Sequence, residues 1–529
     1  MISVQASQTD HPVVREFFEL FKTPWRFHAA GARSQILLCA GREVPADAAA
    51  LVIIFAGEVV PFDQKAGGNL DIKTEPSWFR HEDVELPIYG RRLVDPASQQ
   101  IVFRRGAENG KAVVRVGFDL FAEVRHLLTA GQPEDFASVP TLERHIAFLR
   151  NLIVSHGLPL VEIPPRPAGH EFIVCLTHDV DHVGIRNHKF DHTMFGFLYR
   201  ATFGSLLEVA RGSKTFGQFA ANWLAVLKLP FVHLGLAKDF WYQFDRYVEL
   251  ENGAASTFFV IPKQGQTGLD ADGNRPAKRA ASYDARYLKD ILRGLKNNGK
   301  EIGVHGIDAW RNAAAGRDEK KIISELVGAT EAGVRMHWLY FGEHSHAKLE
   351  KAGFTYDSTV GYNRTVGYRA GTTQVFKPLT TAQLLELPMH IMDTALFYPS
   401  YLNLSPQQAE ERIRPLMANA VQFGGALTVN WHDRSIAPER FWDGTYRWLL
   451  EEFQTQGAWF ATAAQAVAWF KKRRAATFDA MPDGRMKIKT AGDAGSLPAL
   501  RVRIFQPVSG GGKIVEKLLA DGEEICLAA

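Results

Sequence analysis

The chain has 529 residues, of which 46% are hydrophobic and 22% are charged. This composition is typical of globular proteins, supplies enough apolar material for sizeable hydrophobic cores, and excludes wholesale disorder. The 61 Lys and Arg residues nearly balance the 58 Asp and Glu residues, and the formal charge of +3 excludes the strongly basic footprint of a nucleic-acid-binding protein.

Cysteine usage and the N-terminal residues indicate the compartment. Cys39, Cys175 and Cys526 are too few and too scattered for a disulfide framework or a cysteine-rich zinc site, and they suit a reducing compartment. The N-terminal residues lack the basic and apolar regions of a secretory signal, and no apolar run is long enough to span a bilayer. We therefore expect a cytoplasmic protein.

Aromatic and leucine residues at 193–236 predict either ordinary packing or contact with the inner membrane surface.

The first part of the chain predicts a separate N-terminal domain of α/β or α+β type, residues 1–168. Strand-like and helical runs both occur in it. The predicted strands are 35–39, 50–55 and 112–116, and the predicted helices are 118–129 and 141–155. The stiff connector IPPRPAG, residues 163–169, follows them and marks a domain boundary.

Short apolar strands alternate with helices from residue 169 to residue 474, which predicts a parallel sheet and favours a (β/α) barrel. An insert is expected at about 193–240. The predicted strands are 172–177, 256–260, 301–305, 334–341, 426–431 and 458–461. The predicted helices are 283–298, 318–332, 406–423, 438–456 and 462–474. Turn residues and short strands then predict a small β domain at 475–529.

A cluster of ionisable residues, THDVDH, follows the predicted strand FIVCLT. The carboxyl ends of parallel strands are where side chains converge on a ligand. Asp179 and Asp181 alternate along an extended backbone and point to similar sides, so that one can hold a metal while the other accepts a proton. The alternative is a polar loop whose aspartates cap the next helix.

Other strands also end in residues suited to catalysis. His305 follows EIGV, and a neutral imidazole binds zinc and similar divalent ions, although a structural histidine bonded to backbone is an alternative. His432 follows LTVNW and can act as a general acid that a neighbouring carboxylate orients. Arg335 can keep a catalytic carboxylate ionised or can pair with surface acids.

Together these motifs resemble the polysaccharide deacetylase family, the NodB-homology hydrolases, over roughly residues 172–473. The T-x-D-x-D motif is Thr177 to Asp181, EIGVH is similar to the second motif, and LTVNWHD is similar to the closing L-x-x-H. AGFTYDST at 352–359 and GYRAGT at 367–372 resemble a branch with large N-terminal extensions. The resemblance implies a distorted seven-stranded (β/α) barrel, a divalent metal that is commonly zinc, and hydrolysis of an N-acetyl or related C–N bond.

The resemblance also implies a role for each matching residue. Asp179 would be the general base, Asp181 and His305 metal ligands, Arg335 the residue that holds Asp179, and His432 the general acid. The chain departs from the family where a second histidine is usual four residues after His305, because Ala309 stands there. It departs again in the third motif, where His337 replaces a proline.

A catalytic zinc site normally has three protein ligands and a water. The chain therefore needs a substitute for the missing histidine, or its metal is weakly bound or absent. The nearest candidates for the third ligand are His182, Asp308 and His337.

We expect a metal-dependent hydrolase that removes N-acetyl groups from a cell-envelope or exopolysaccharide glycan or from its precursor. One alternative is an amidohydrolase of small cyclic amides. Another, suggested by Ala309, is a catalytically silent carbohydrate-binding or assembly protein. Metal content separates the enzymes from the silent protein, and acetate release separates the two enzymes.

Overall fold

The computed structural model describes most of the chain, and Cys526 lies outside the described residues. The described residues are 1–31, 34–41, 49–66, 69–82, 84–108, 111–210, 214–481, 485–490, 497–508 and 511–525.

The N-terminal unit is built on a largely parallel sheet. The strands up to the connector are β1 (Ile2–Gln5), β2 (Trp25–Phe27), β3 (Ser34–Ala40), β4 (Ala49–Phe55), β5 (Asp71–Lys73), β6 (Ser77–His81), β7 (Val84–Ile88), β8 (Arg92–Val94), β9 (Phe103–Glu108), β10 (Lys111–Val116) and β11 (Leu160–Glu162). The helices are α1 (His11–Phe21), α2 (Pro61–Ala66), α3 (Leu120–Thr129) and α4 (Thr141–Ser155). The main sheet has the order β2-β1-β3-β4-β10-β9, and its apolar strands pack against α1, α3 and α4. The five elements predicted here from the sequence are confirmed within two residues at each end.

The central unit is a curled sheet of parallel strands with helices between them. The strands are β12 (Phe172–Val180), β13 (Ser256–Val260), β14 (Glu301–Gly306), β15 (Val334–Met336), β16 (Tyr356–Asp357), β17 (Leu385–Glu386), β18 (Ile391–Met392), β19 (Ala426–Asn430) and β20 (Ala458–Phe460). The order is β17-β16-β15-β14-β13-β12-β19-β18, and β20 lies beside β12. Every residue of β12 and β13 is buried, as expected for parallel strands covered on both faces. The predicted fold class, a distorted (β/α) barrel, is confirmed.

Helices cover the barrel and also form its insert. They are α5 (His192–Tyr199), α6 (Ser205–Ala210), α7 (Phe216–His233), α8 (Phe244–Glu251), α9 (Lys289–Asn297), α10 (Ala313–Val327), α11 (Ser345–Ala352), α12 (Asp393–Phe397), α13 (Pro406–Phe423), α14 (Asp443–Thr455) and α15 (Ala463–Ala475). The capping box predicted for α13 is present, with Ser405 and Gln408 bonded reciprocally. Within the described residues, no helix is both long and apolar enough to cross a bilayer.

Several predicted elements differ from the structure. The helices expected at 283–298 and 438–456 begin only at Lys289 and Asp443. Two further differences have local reasons. The helix expected at 318–332 lies at Ala313–Val327 instead, because the Asn312 side chain caps its first turn and Gly328 ends it in a left-handed conformation. The strand expected at 334–341 stops at Met336. Trp338 and Leu339 then have positive φ angles of 62° and 52°, which turn the chain sharply away from the sheet.

The C-terminal strands pair partly among themselves and partly with the region before the barrel. They are β21 (Thr477–Ala480), β22 (Met486–Lys489), β23 (Arg501–Val508), β24 (Gly511–Leu518) and β25 (Glu523–Ile525). One sheet has the order β21-β22-β25, and the other has the order β11-β23-β24. The β23–β24 hairpin is therefore joined to the strand that precedes the proline-rich connector.

A buried ion network beneath the sheet ties α8 to the barrel. Glu251 accepts hydrogen bonds from His178 Nε2 at 2.7 Å and Tyr446 at 2.8 Å, and it pairs with Lys300 Nζ at 2.5 Å. Burial would raise the pKa of Glu251, but His178 and Lys300 outweigh it and lower that pKa to about 2. His178, one of the histidines in the first motif, therefore has a structural role.

We expect Glu251→Gln to lower the free energy of unfolding by about 3–5 kcal/mol at pH 7, because the Lys300 charge would stay buried without its partner. The folded-state pKa lies below the unfolded value near 4.3, so this stabilisation is present above pH 4.3 and is lost as the pH falls toward 2. Urea denaturation at pH 7 and pH 3 measures it, and the gap between wild type and variant should shrink at pH 3. The exposed Glu249→Gln is the matched control and should change stability by less than about 0.5 kcal/mol at both pH values.

Candidate active site

The ends of neighbouring parallel strands bring the motif residues into one cavity. Asp179 lies near the end of β12 and Asp181 just after it, while His305 is in β14 and His432 follows β19. Arg335 is in β15, next to β14 in the sheet. Parallel strands present their carboxyl ends along one edge, which is why residues distant in the sequence meet here.

Three metal-ligand side chains come together at the floor of this cavity. Asp181 Oδ1 lies 3.4 Å from His305 Nε2 and 3.3 Å from His337 Nδ1, and these two imidazole nitrogens are 2.9 Å apart. Asp181 Oδ1 is buried, and no hydrogen bond from a described residue satisfies it. Two imidazole nitrogens and one carboxylate oxygen aimed at a common point form a donor set that suits zinc or a similar divalent ion.

The protonation states of this cluster suit a metal. His305 Nδ1 lies 3.0 Å from the Arg335 carbonyl oxygen, so this nitrogen donates its proton to the backbone and Nε2 keeps a free lone pair. Burial lowers the pKa of His337, which favours the neutral imidazole that a metal requires. Burial would raise the pKa of Asp181, but the contacts with His337 and His305 hold that pKa well below its usual value.

The other candidates for a third ligand lie outside the cluster. His182 Nδ1 is 3.2 Å from His188 Nε2, and Asp308 accepts the backbone N–H of Leu269 at 3.1 Å. Ala309 is fully buried, and a Cβ built on Gly316 of α10 would lie 3.1 Å from its methyl group, so an imidazole would not fit there without moving this helix. Of the three candidates, the geometry favours His337.

A strained turn presents His337 to the cavity. The two residues after it, Trp338 and Leu339, have left-handed backbone conformations, which cost non-glycine residues about 1–3 kcal/mol each. The residue before His337 is Met336, which lies beside Gly306 of the neighbouring strand β14. A Cβ at position 306 would lie 2.7 Å from the Met336 sulfur, so glycine leaves room for this side chain. Such strain persists only where the surrounding structure imposes it, and it is concentrated here beside the candidate metal ligands.

Asp179 lies beside the cluster and is held as a carboxylate. Arg335 donates to its Oδ1 at 3.1 Å, and Asn430 Nδ2 donates to its Oδ2 at 2.8 Å. Burial would raise the pKa of Asp179, but His305, Arg335 and His432 together lower that pKa below its usual value. The group is therefore ionised at neutral pH and able to accept a proton.

Arg335 is fixed by contacts on every side. Its guanidinium donates to the Thr177 hydroxyl at 2.6 Å, and to the carbonyl and hydroxyl oxygens of Ser358 at 3.0 Å and 2.9 Å. Its Cζ lies 4.6 Å from the centre of the Phe259 ring. The side chain is fully buried, so Arg335 positions Asp179 and does not act as a surface partner for acids.

His432 lies beside the cluster and forms a dyad with Asp393. Its Nδ1 is 2.6 Å from Asp393 Oδ1, and its Nε2 faces the cavity, 3.9 Å from Asp181 Oδ2. Burial would lower the pKa of His432, but the carboxylates of Asp393, Asp181 and Asp179 raise it to about 10. The imidazole is therefore protonated at neutral pH and able to donate a proton.

The carboxylate that orients His432 is not the adjacent one. Asp433 Oδ2 accepts the backbone N–H groups of His182 and Val183, at 3.1 Å and 2.7 Å, and so fixes the loop after β12. Asp393 was missed in the sequence because it follows β18, which has only two residues. The apolar residues before it, Ile391 and Met392, were the available signal.

The cavity above these residues has a volume of about 800 Å³, within the range of sites for small ligands. Aromatic and basic side chains form its walls. The aromatic residues are Trp338, Tyr340, Tyr398 and Tyr401, and the basic ones are Arg200, Lys278, Arg364, Arg434 and Arg440.

A second group of metal-ligand side chains, His346, Asp357 and Glu386, is buried apart from this cavity. His346 Nε2 lies 3.1 Å from Glu386 Oε2. Burial raises the pKa of Glu386 to about 7 and raises that of Asp357 well above its usual value. Glu386 Oε1 also accepts the backbone N–H of Val360 at 2.8 Å, so this buried group links β17 to the loop after β16.

No family model matches the chain, and no curated protein matches it either. Three solved structures are similar to part of it. A protein described as a polysaccharide deacetylase from Mycobacterium smegmatis shares 19% identity over 59% of this chain and 95% of its own, with a TM-score of 0.36. Puue allantoinase shares 14% over 58% of this chain and 93% of its own, with a TM-score of 0.34. A second protein described as a polysaccharide deacetylase, from Pseudomonas aeruginosa PAO1, shares 14% over 59% of this chain and 94% of its own, with a TM-score of 0.35. These identities and TM-scores are too low to transfer side-chain roles from the three proteins. The roles described for this chain therefore rest on the geometry of its own residues.

Proposed function

We propose that the chain is a metal-dependent hydrolase of non-peptide C–N bonds that removes acetyl groups from an N-acetylated glycan or glycan precursor. The observation that carries this proposal is the set of three neighbouring metal-ligand atoms, with an ionised carboxylate and a protonated imidazole each within 4 Å of the cluster. Metal-assisted amide hydrolysis uses these three elements: a Lewis acid, a proton acceptor for the attacking water and a proton donor for the leaving amine.

Asp181, His305 and His337 would hold the metal, for which zinc is the proposed ion. A divalent cation at such a site supplies Lewis acidity, which favours deprotonation of water and polarises an acyl oxygen. Asp179 accepts the proton of the attacking water, and Arg335 and Asn430 keep the Asp179 carboxylate aimed into the cavity. His432 donates its Nε2 proton to the departing nitrogen, while Asp393 stabilises the imidazolium before the transfer.

The cavity walls support a glycan as the substrate class. Trp338 and Tyr401 present partly exposed rings at the cavity, and flat aromatic faces with a polar edge suit the mixed apolar and hydroxylated faces of sugars. Basic side chains along the same walls would suit hydroxyl or acidic substituents. The metal-binding and proton-transfer groups lie on the floor beneath these walls.

The experiment is to incubate the purified, zinc-loaded chain with N-acetylated oligosaccharides and to measure released acetate and new free amines in equal amounts. Allantoin, a cyclic ureide, is assayed in parallel. We expect acetate release in the wild type and a loss of at least about a thousandfold in Asp181→Asn, which lacks a metal-ligand charge. Opening of the ureide without acetate release would instead make the chain a cyclic amide hydrolase. If the chain binds no stoichiometric metal and shows neither activity, it is instead a catalytically silent carbohydrate-binding protein.

A further inference from the structure

The barrel insert forms a helical hairpin with an ordinary apolar core on one side. The hairpin consists of α5, a π-helical turn at Arg200–Gly204, α6 and α7. Phe197, Ala225, Leu229 and Val232 are buried in it, and they pack with Trp241 and with Ala437 of the barrel. This contact fixes the hairpin to the domain, so the hairpin does not depend on a further partner to fold.

The hairpin also carries many apolar side chains that are exposed and not part of this core. Of the 20 large hydrophobic side chains exposed in the described residues, 13 lie between residues 190 and 236. We call these side chains the apolar hairpin face; they are Phe190, Phe195, Tyr199, Phe203, Leu206, Leu207, Phe216, Trp223, Leu224, Leu227, Phe231, Leu234 and Leu236. Exposed apolar side chains scattered singly are normal, but such a concentration marks an interaction surface.

Helix α7 shows the pattern most clearly. Trp223, Leu227 and Phe231 recur at helical spacing and are 43%, 65% and 53% exposed. Leu229 and Val232 recur on the opposite side and are buried. A helix that is apolar on both sides is normally covered on both sides. Helix α7 is not long and apolar enough to cross a bilayer. A partner that covers its outer side must therefore lie beside the helix, parallel to its axis, and cannot surround it.

The charged residues of this segment are mostly basic. Residues 186–240 contain seven Lys and Arg residues and three Asp and Glu residues, a difference of +4. Among the described residues, Lys189 and Lys228 are exposed and form no ion pair, and each is adjacent in sequence to a residue of the apolar hairpin face. Aromatic and leucine side chains edged by free lysines match the boundary of an anionic bilayer, where acyl chains lie beneath negative headgroups.

A second copy of the chain fits this face less well. A twofold contact through it would place the positively charged surface of one copy, which includes Lys189 and Lys228, against the same surface of the other copy. Like charges facing each other across an interface weaken it. An anionic lipid surface instead neutralises these charges while it buries the aromatic and leucine side chains.

The hairpin is also next to the candidate active site. His192, Thr193 and Arg200 belong to the hairpin and line the cavity that contains Asp181 and His432. We propose that the apolar hairpin face docks on the surface of an anionic lipid bilayer and thereby holds the mouth of the active-site cavity near the membrane. One consequence, which rests on the proposed function, is that the glycan substrate is attached to a lipid.

The test is co-sedimentation of the full chain with vesicles, because it needs no catalytic activity. Vesicles of phosphatidylglycerol and phosphatidylcholine are compared with vesicles of phosphatidylcholine alone. We expect wild type to bind the anionic vesicles, and we expect the double variant Leu224→Glu, Leu227→Glu to bind them at least tenfold more weakly, because two carboxylates would enter the apolar boundary. Lys189→Ala with Lys228→Ala should weaken binding to anionic vesicles and increase its tolerance of salt.

The matched control is Ile514→Glu with Leu518→Glu, which places two charges on similarly exposed side chains of β24, at 60% and 64% exposure. This control should bind vesicles as wild type does, and circular dichroism should show that all variants are folded. Equal vesicle binding by the hairpin variant and wild type overturns the proposal. Light scattering that shows a wild-type dimer, converted to a monomer by the hairpin variant and indifferent to vesicles, overturns it in favour of a second copy.

The vesicle-binding assay and the acetate-release assay test the two proposals independently. A chain that binds anionic vesicles but releases no acetate contradicts the proposed function and leaves the docking surface intact. A chain that deacetylates soluble and lipid-attached N-acetylglucosamine equally well, and does not bind vesicles, contradicts the docking surface alone.

Discussion

Replacing His337 with alanine is expected to remove the bound divalent cation and to lower the rate of hydrolysis by at least about a thousandfold. The reason is geometric, because His337 Nδ1 lies 2.9 Å from His305 Nε2 and 3.3 Å from Asp181 Oδ1. Without it, two protein ligands remain, one fewer than a catalytic zinc site normally has. Several kcal/mol of transition-state stabilisation would go with the metal, and each 1.4 kcal/mol corresponds to a factor of ten in rate.

Metal content provides a measurement that does not depend on the substrate. Mass spectrometry of the dialysed protein should give about one equivalent of zinc for wild type and close to none for His337→Ala. The control is His182→Ala, since His182 lines the same cavity but faces His188, and this variant should keep its metal. A His337 variant that retains one equivalent of zinc would exclude His337 as a ligand, and a metal-free wild type would exclude the metal centre.

The sequence predicted the parts of this site that belong to short motifs after buried strands. Asp179, Asp181, His305 and His432 each lie at or just after the end of an apolar strand, and parallel strand ends share an edge of the sheet. Their convergence therefore follows from the alternation of strands and helices, before any contact is known. Arg335 lies near the start of the next predicted strand, and the sequence left open whether it holds a catalytic carboxylate or pairs with a surface acid. In the structure its side chain is fully buried and donates to Asp179.

The three candidates for a further metal ligand could not be ranked from the sequence, because the chain changes direction at a point that no sequence pattern indicates. Residues 334–341 are apolar and aromatic enough to predict one continuous strand. On such a strand, His337 would lie on the opposite face of the sheet from Met336, and the chain would continue along the sheet. The left-handed conformations of Trp338 and Leu339, which these residue types rarely adopt, turn the chain and direct His337 toward Asp181.

The absence of a second imidazole from the loop after β14 has a local physical basis. The space beside Ala309 is filled by α10, whose Gly316 approaches it closely, and Glu319 of the same helix accepts the backbone N–H groups of Ile307 and Asp308. The loop after β14 is thereby anchored to α10 and supplies only His305 to the cluster. The imidazole that this loop lacks is available from the next strand of the sheet, β15.

Replacing Asp393 with asparagine is expected to lower the turnover rate by about 10² to 10⁴ while leaving the metal bound. Asparagine keeps the shape of the side chain and an oxygen that can accept from His432 Nδ1, but it removes the charge that favours the imidazolium. The pKa of His432 is raised to about 10 with Asp393 in place, so the variant should have a lower His432 pKa. A general acid must be protonated, and the alkaline limb of the turnover profile should therefore move to lower pH in the variant.

The measurement is the pH dependence of turnover on an N-acetylated oligosaccharide between pH 6 and pH 11, with zinc content determined on the same samples. Asp433→Asn is the matched control, because Asp433 bonds to the backbone of the loop after β12 and does not contact the His432 imidazole. This control should keep the alkaline limb of wild type even where the loss of loop contacts lowers its rate. An unshifted limb in Asp393→Asn, at full metal content, would mean that His432 does not act as the proton donor. A limb that shifts equally in both variants would assign the effect to the loop and not to the dyad.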